Sequence, residues 1–222
     1  MNKKIIISVL VVILIILAIL VYFITKKGAN SNEKQNVQEN AQAEQKEENK
    51  EEKSMYSSGK HHAQIVIKNY GTISLELDAD MAPITVENFA NLVNEGFYDG
   101  LTFHRIISGF MIQGGDPEGN GLGGSDKEIK GEFSANGVKN TISHTRGVIS
   151  MARAQSYNSA SSQFFIMHKD APYLDGSYAA FGHVTEGIEI VDKICEDTKV
   201  EDSNGTVLKE NQPVIEKIVM ID

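Results

Sequence analysis

The sequence predicts a mostly β domain, built as an antiparallel barrel with an α-helix closing each end, behind an N-terminal membrane helix and a disordered linker. Short runs of β-branched and aromatic residues recur from residue 63 to residue 221, and turn residues separate them. Only two segments of that region repeat apolar residues at helical spacing. A closed sheet has no exposed edges, so many short strands with few helices favour a barrel.

The N-terminal segment, residues 5–25, contains no charged side chain. A helix of that length spans roughly 30 Å, which matches the hydrocarbon core of a bilayer. A cleaved signal peptide is the alternative, but it has a shorter apolar region, of about 7–15 residues, followed by small residues at the cleavage site. The run is longer and no such site follows it, so we expect residues 1–27 to form an uncleaved anchor.

Lysines flank the predicted anchor on both sides, Lys3 and Lys4 before it and Lys26 and Lys27 after it. The usual excess of positive charge on the cytoplasmic side therefore hardly distinguishes the two orientations. A short N-terminal tail usually stays in the cytoplasm. We expect a single-pass protein of the cell membrane, with the rest of the chain on the extracytoplasmic side.

Residues 28–60 form a polar, acidic segment in which Glu, Gln, Lys and Asn predominate. The larger apolar residues in it are Val37, Met55 and Tyr56. Such a composition buries too little surface to offset the entropy of ordering. We expect a flexible tether with an end-to-end distance of about 30 Å.

The remaining domain, residues 61–222, carries 12 Lys and Arg against 23 Asp and Glu. This balance argues against a nucleic-acid partner, which needs a basic face. The single cysteine, Cys195, excludes an internal disulfide, and no His and Cys residues stand at metal-ligand spacing. A glycine-rich loop at 114–126 lacks the Gly-Lys-Ser/Thr ending of a phosphate-binding loop. We therefore expect neither a metal nor a cofactor.

The predicted elements of the domain follow one another in a regular order. A hairpin with its turn at Tyr70 and Gly71 comes first, and Pro83 then opens a helix with one apolar face, from Val86 to Phe97. A second helix is expected near 187–196. The predicted strands lie at 63–69, 72–77, 102–107, 109–113, 147–152, 163–167, 179–184 and 214–221.

Three long motifs occur in order: FHRIISGFMIQGGD at 103–116, GVISMARAQSYNSASSQFFIM at 147–167 and APYLDGSYAAFGHV at 171–184. Together they resemble the cyclophilin-type peptidyl-prolyl cis-trans isomerases, and GEF at 131–133 resembles the bacterial members. The resemblance covers about 63–222 and leaves out the anchor and the tether. It implies a closed eight-stranded antiparallel barrel capped by two α-helices, with an active site in a shallow outer groove.

The resemblance also implies roles for individual residues. Arg105 becomes the catalytic cation, and the partners become proline-containing peptides and unfolded protein clients. Because neighbouring residues of a strand face opposite sides, only one of Phe164 and Phe165 can line the groove, and the resemblance selects Phe165. The expected groove residues are Phe110, Met111, Phe165 and Leu174 around the proline ring, Gln113 and Gln163 as polar groups, Ala152 and the Arg153 backbone along the extended peptide, and His104 beside them.

Elementary chemistry supports an arginine in this role. An X–Pro bond rotates over a barrier of about 18–20 kcal/mol because resonance gives it partial double-bond character. At the twisted transition state the proline nitrogen regains its lone pair and can accept a hydrogen bond. A fixed guanidinium aimed at that nitrogen binds the twisted form more tightly than the planar one, which lowers the barrier. The alternative for Arg105 is a side chain that lies along the barrel surface or pairs with an acid.

Three positions depart from the family's pattern. Tyr173 stands where many members have Trp, Tyr178 where many have His, and Arg153 where Asn is frequent. Neither tyrosine replaces a group that supplies charge to the reacting bond, and only the backbone of residue 153 is expected to contact substrate, so we expect activity to persist. Cyclosporin, a cyclic inhibitor of the family, is expected to bind with weakened affinity because the indole donor is missing.

The sequence thus predicts an enzyme that isomerises X–Pro bonds and assists the folding of exported proteins. A module that holds proline-containing peptides in a chaperone-like manner, with little turnover, is the alternative. The arginine favours the enzyme, because a pure binder has no need of it.

Overall fold

The computed structural model describes residues 54–222. The predicted anchor, 1–27, and the first part of the predicted tether, 28–53, lie outside the described residues. Between residues 54 and 222, no helix combines the length and the apolar composition that crossing a membrane requires.

The folded domain begins before the boundary at residue 61 that the sequence suggested. Residues Ser54–Asp222 form one compact unit. Tyr56, assigned to the tether by composition, is buried in the core, and its hydroxyl accepts a hydrogen bond from Asn94 Nδ2 at 3.3 Å. Composition alone cannot assign such a segment to the folded domain, because it contains one buried aromatic side chain among many polar residues.

Eight strands and two α-helices make up the described domain. The helices are α1, Pro83–Asn94, and α2, Ile188–Asp197. The mostly β class is confirmed, because each predicted strand and helix is present within a few residues of its expected bounds. The strands are β1 Lys60–Ile67, β2 Gly71–Asp78, β3 Thr102–Ile107, β4 Met111–Asp116, β5 Val148–Met151, β6 Phe164–Met167, β7 Ala180–Glu186 and β8 Ile215–Met220.

The strands form one curled antiparallel sheet in the order β3-β4-β6-β5-β7-β2-β1-β8. The expectation of a closed barrel is wrong, because no ladder within residues 54–222 joins the end strands β3 and β8. They meet at an isolated bridge between Thr102 and Val214, where Phe103 N–H donates to Pro213 O at 3.0 Å. Proline has no N–H to return a second hydrogen bond, which interrupts pairing at this edge. The sheet is therefore a half-barrel.

Alternation along the strands sends every second side chain to the inside of the curl. In β1, Ile65 and Ile67 are buried there, whereas the residues between and beside them are more exposed. Phe103, Phe164 and Phe181 lie in the same inner core.

Helix α1 starts with Pro83 in its first turn, where a missing N–H costs nothing. Phe89 on its apolar face packs into the inner core. The N–H groups at its start are capped from a distant loop, because Ile84 N and Thr85 N donate to the Glu132 carboxylate at 3.1 and 2.8 Å. The cap ties the start of α1 to the loop that carries Glu132.

A second and smaller group of apolar residues packs apart from the inner core, and we call it the outer cluster. Its buried members are Met111, Val148, Phe165, Met167, Ala171 and Ala180, and the half-buried residues packed against them are Ile107, Phe110, Ile142, Ala152, Leu174 and Tyr178. The sheet thus carries an apolar patch on its outer face as well as a core inside.

Candidate active site

Arg105 reaches the outer face of the sheet because β3 contains a bulge at His104. In the pairing of β3 with β4, Phe103 lies opposite Gly114 and Arg105 lies opposite Gln113, which leaves His104 without a partner. Alternate residues of a regular strand share a face, so Phe103 and Arg105 would otherwise point the same way. The extra residue lets Phe103 enter the core while Arg105 lies half-buried outside.

The Arg105 guanidinium is held by neutral groups. Its Nε donates to the backbone oxygen of Asn204 at 2.8 Å, and its Nη2 lies 3.3 Å from Asn204 Oδ1. Its Nη1 donates to Gln113 Oε1 at 3.2 Å and lies 3.9 Å from Met111 Sδ. Among residues 54–222 no carboxylate lies within ion-pair distance of it. The side chain is therefore oriented without being neutralised, and the ion-paired alternative is wrong for this part of the chain.

The surroundings of Arg105 affect its pKa in two directions. Burial lowers the pKa of Arg105 from its ordinary value, while Tyr178 and Asp202 act to raise it. An arginine nevertheless stays protonated at neutral pH. The site therefore presents a permanent positive charge in a partly desolvated position, where its hydrogen bonds are stronger than in water.

Two glutamines connect the arginine to the glycine-rich loop. Gln113 Nε2 donates to Gln163 Oε1 at 2.9 Å. Gln163 Nε2 in turn donates to Gly123 O at 2.7 Å and to Gly121 O at 3.2 Å. The two amides predicted to line the groove thus lie together, and they form one hydrogen-bonded chain from the guanidinium to the loop.

The outer cluster provides apolar surface next to this hydrogen-bonded chain, and we refer to it as the pocket that the sequence predicted. Phe164 lies in the inner core and Phe165 in the outer cluster, which is the division that the sequence predicted for the pair. Gln113 is paired with Phe165 across β4 and β6, so the pocket floor and the amide chain are direct neighbours. The predicted pocket residues found together in the outer cluster are Phe110, Met111, Ala152, Phe165, Leu174 and Tyr178.

Three polar residues beneath the pocket were not predicted from the sequence. The His144 ring stacks against Phe165, with centroids 6.0 Å apart and planes 17° from parallel. Its Nδ1 lies 2.8 Å from Asp175 Oδ1 and its Nε2 lies 3.0 Å from Ser150 Oγ. Ser150 is fully buried, so this Ser-His-Asp arrangement cannot reach a substrate. Its effect is to fix the ring that forms the pocket floor.

The charge states of this buried group follow from its contacts. Burial lowers the pKa of His144, although Asp175 acts in the opposite direction. Burial would raise the pKa of Asp175, but hydrogen bonds from Ser143 and His144 outweigh it and hold the pKa below its usual value. At neutral pH a neutral imidazole therefore donates from Nδ1 to the Asp175 carboxylate, and its Nε2 accepts from the Ser150 hydroxyl.

The rim of the pocket carries the residues that depart from the family's pattern. Tyr173 is 73% exposed and stacks on Phe110 with ring centroids 6.2 Å apart. Tyr178 meets the Phe165 ring edge-on at 5.9 Å. Arg153 lies against Tyr178, with its guanidinium carbon 4.8 Å from the centre of that ring.

His104 does not line the groove as expected. It is only 5% exposed, and both of its ring nitrogens lack a hydrogen-bond partner among residues 54–222. Gly121 of the glycine-rich loop covers it, since a Cβ at that position would lie 3.7 Å from His104 Nε2. As the bulged residue of β3, His104 packs beneath the loop, and burial lowers its pKa although Asp116 acts to raise it. Its contribution to the site is the change of register that turns Arg105 outward.

The chemistry open to this site is limited by its composition. Between residues 54 and 222 no group of three or more His, Cys, Asp or Glu side chains is placed to hold a metal ion. The cysteine lies in α2, and burial raises the pKa of Cys195 to about 12, which keeps the thiol protonated. A fixed cation beside an apolar pocket can bind a ligand and stabilise charge on it.

Most of the chain, residues 62–220, matches the family described as cyclophilin type peptidyl-prolyl cis-trans isomerase/CLD. The chain belongs to this family. The sequence-based assignment to the cyclophilins is confirmed, and with it the enzyme class: the protein is a peptidyl-prolyl cis-trans isomerase.

Individual cyclophilins resemble the chain over most of their own length. Peptidyl-prolyl cis-trans isomerase B of Bacillus subtilis is 44% identical over 145 residues, which are 65% of this chain and 92% of the relative. A peptidyl-prolyl cis-trans isomerase of Helicobacter pylori is 48% identical over 128 residues, 57% of this chain and 76% of the relative. Among solved structures, a Cryptosporidium parvum cyclophilin crystallised in the presence of the dipeptide Ala-Pro superposes with a TM-score of 0.64 at 32% identity, covering 72% of this chain and 99% of that one.

Proposed function

We propose that Arg105 accelerates rotation about X–Pro bonds by hydrogen bonding to the proline nitrogen of the twisted imide. One observation carries this proposal: a guanidinium without an acidic partner is fixed beside an apolar pocket on the outer face of the sheet. The twisted state offers a lone pair that the planar isomers do not, so the cation favours the transition state over either ground state.

The pocket supplies the second half of the proposed mechanism. Phe110 and Leu174, which are half-buried, provide apolar area for the proline ring without competing hydrogen-bond donors. Met111 and Phe165 lie buried against them. Holding the ring fixes one side of the bond while the acyl side rotates past Arg105. The Cryptosporidium parvum relative was crystallised with a dipeptide that ends in proline, which supports a proline-containing peptide as the ligand of this chain.

The decisive experiment compares Arg105→Ala with the wild-type protein on an X–Pro peptide. The catalytic efficiency should fall by about 10²–10³, the usual loss when one charge-stabilising donor is removed, while binding of the peptide persists in part. Arg105→Lys should remain impaired, because an ammonium lacks the fork that Asn204 and Gln113 hold. The same change at an arginine outside the site, Arg146→Lys, should leave turnover unchanged.

The alternative is that Arg105 takes no part in turnover. Its signature would be a wild-type protein that isomerises the peptide no faster than Arg105→Ala does, with equal affinity for the peptide in both. That result would refute the catalytic role of Arg105.

We further propose that the enzyme works on unfolded and partly folded exported proteins outside the cytoplasm. The proposal rests on the uncharged run at 5–25 as a single-pass anchor and on residues 28–53 as a polar tether. A tether of that kind lets the groove reach chains that emerge near the membrane. Protease added to cells that keep an intact cell membrane, but from which the layers outside it have been removed, should degrade the domain. Protection of the domain until the membrane is permeabilised would place it in the cytoplasm.

A further inference from the structure

Arg153 sits in an aromatic enclosure at the edge of the groove. Its guanidinium carbon lies 4.8 Å from the ring centre of Tyr178, 5.0 Å from that of Tyr157 and 5.2 Å from that of Phe133. Contacts of this kind attract a cation to the faces of the rings. The three rings come from separate loops and surround the guanidinium.

Backbone oxygens complete the enclosure on two sides of the guanidinium. Its Nε donates to Ser177 O at 3.0 Å, and its Nη1 donates to Ala154 O at 2.9 Å and to Gln155 O at 3.3 Å. The Nη2 group has no acceptor among residues 54–222. Two N–H donors, both on Nη2, therefore remain for an incoming acceptor.

The charge of Arg153 is also without a partner within the described chain. No carboxylate of residues 54–222 lies within 4 Å of it, whereas Arg146 is paired with Asp192 at 2.7 Å. This is notable in a domain with nearly twice as many acidic as basic residues, where an ion pair would be easy to form. An ordered, unpaired guanidinium with free donors is a site suited to a carboxylate.

The position of Arg153 relates this charge to the substrate. The centre of the Tyr178 ring lies 5.9 Å from that of Phe165, on the pocket floor, and 4.8 Å from the Arg153 guanidinium carbon. Ala152, the preceding residue, packs on the outer cluster. An extended peptide advances about 3.3 Å per residue, so a side chain two or three residues from a proline in the pocket reaches the guanidinium.

We propose that Arg153 makes the enzyme selective for X–Pro segments that carry an acidic residue two or three positions from the proline. This inference rests on the proposed function, because it needs the proline ring to occupy the pocket. Cyclophilins with Asn at this position lack the charge and are expected to lack the preference.

The competing explanation is that Arg153 only ties together the loops that carry its three rings. A test must therefore measure a property that loss of loop structure would not mimic. The ratio of catalytic efficiencies for two peptides that differ only in Glu against Gln meets this requirement, since the fraction of active enzyme cancels.

The experiment uses the full-length protein and Glu/Gln peptide pairs at each of the three positions before and after the proline, with isomerisation followed by exchange NMR. At one or two of the positions two or three residues away, the wild-type protein should favour Glu by about two- to five-fold, the range of a partly exposed ion pair. The preference should appear in KM and shrink as salt is raised to about 0.5 M. Arg153→Gln should bring the ratio to about one, and Arg153→Lys should keep part of it. Lys217→Gln, at an exposed position of β8, should leave it unchanged.

The outcomes separate the two proposals. Normal turnover of every peptide with no Glu preference at any position overturns the role of Arg153 and leaves the proposed function standing. An undiminished preference in Arg153→Gln overturns the assignment to this residue. Failure of the wild-type protein to accelerate isomerisation of any peptide overturns the proposed function itself.

Discussion

Replacement of Glu132 by Gln tests how the domain holds its first helix in place. The carboxylate is 2% exposed and accepts three hydrogen bonds from the start of α1. Oε1 accepts from Ile84 N at 3.1 Å, and Oε2 accepts from Thr85 N at 2.8 Å and from Thr85 Oγ1 at 2.7 Å. Glutamine keeps the size and shape of the side chain but removes the charge and one acceptor oxygen.

The expected loss follows from these contacts. If the glutamine oxygen takes the place of Oε2, its amide group faces the Ile84 N–H, so one donor of the helix loses its partner at a cost of about 1–3 kcal/mol. The interaction of a negative charge with the helix N-terminus contributes about 0.3–1 kcal/mol more. We expect the free energy of unfolding to fall by about 2–3 kcal/mol.

Urea unfolding of the full-length protein, followed by far-ultraviolet circular dichroism, measures this change. The midpoint should move to lower urea while the slope of the transition stays constant, which shows that stability changed and not the surface exposed on unfolding. Glu128→Gln is the matched control, because Glu128 lies exposed in the same loop region. A loss below about 0.5 kcal/mol for Glu132→Gln, or an equal loss for the control, would refute the capping role.

Three further predictions concern the site. Gln163→Leu should lower catalytic efficiency by about ten-fold in the peptide assay, since Gln113 loses the contact that holds it toward the arginine; a wild-type rate would show that the loop connection is dispensable. The free energy of unfolding should decline as the pH falls below about 6.5. Burial lowers the pKa of His144 in the folded protein, so below that pH the unfolded chain binds more protons than the folded chain does. His104 acts in the same direction, so His144→Asn should flatten the decline only in part, and an unchanged slope would contradict the reasoning. Tyr173→Trp should bind cyclosporin more tightly in a titration than the wild-type protein does, and equal affinities would count against the indole explanation.

The elements of this domain could be predicted because their signals are local. Alternation placed the strands, helical spacing placed α1 and α2, and the opposite orientation of Phe164 and Phe165 followed from strand geometry alone. The motifs around Arg105 and Phe165 predicted a groove. Their residues lie together because β3, β4 and β6, which carry them, are neighbours in the sheet.

The remaining features depend on contacts between residues far apart in the chain. Asn204 reaches Arg105 across 99 positions, and Glu132 caps a helix 47 positions before it. No local pattern specifies such a partner, although GEF at 131–133 contained the capping residue. The bulge at His104 could not be predicted either, because an extra residue in a strand is recognised only once the pairing with the neighbouring strand is known.

In the proposed mechanism a single arginine is sufficient, because the barrier to rotation has to be lowered by only a small part of its height. Loss of a single charge-stabilising donor costs an enzyme about 10²–10³ in rate, or about 3–4 kcal/mol. Lowering a barrier of about 18–20 kcal/mol by that amount shortens isomerisation from roughly a hundred seconds to about a second or less. That time is short compared with the slow phase that prolines impose on folding. The pocket then needs only to hold the proline ring, which is why we expect the tyrosines at rim positions 173 and 178 to preserve activity.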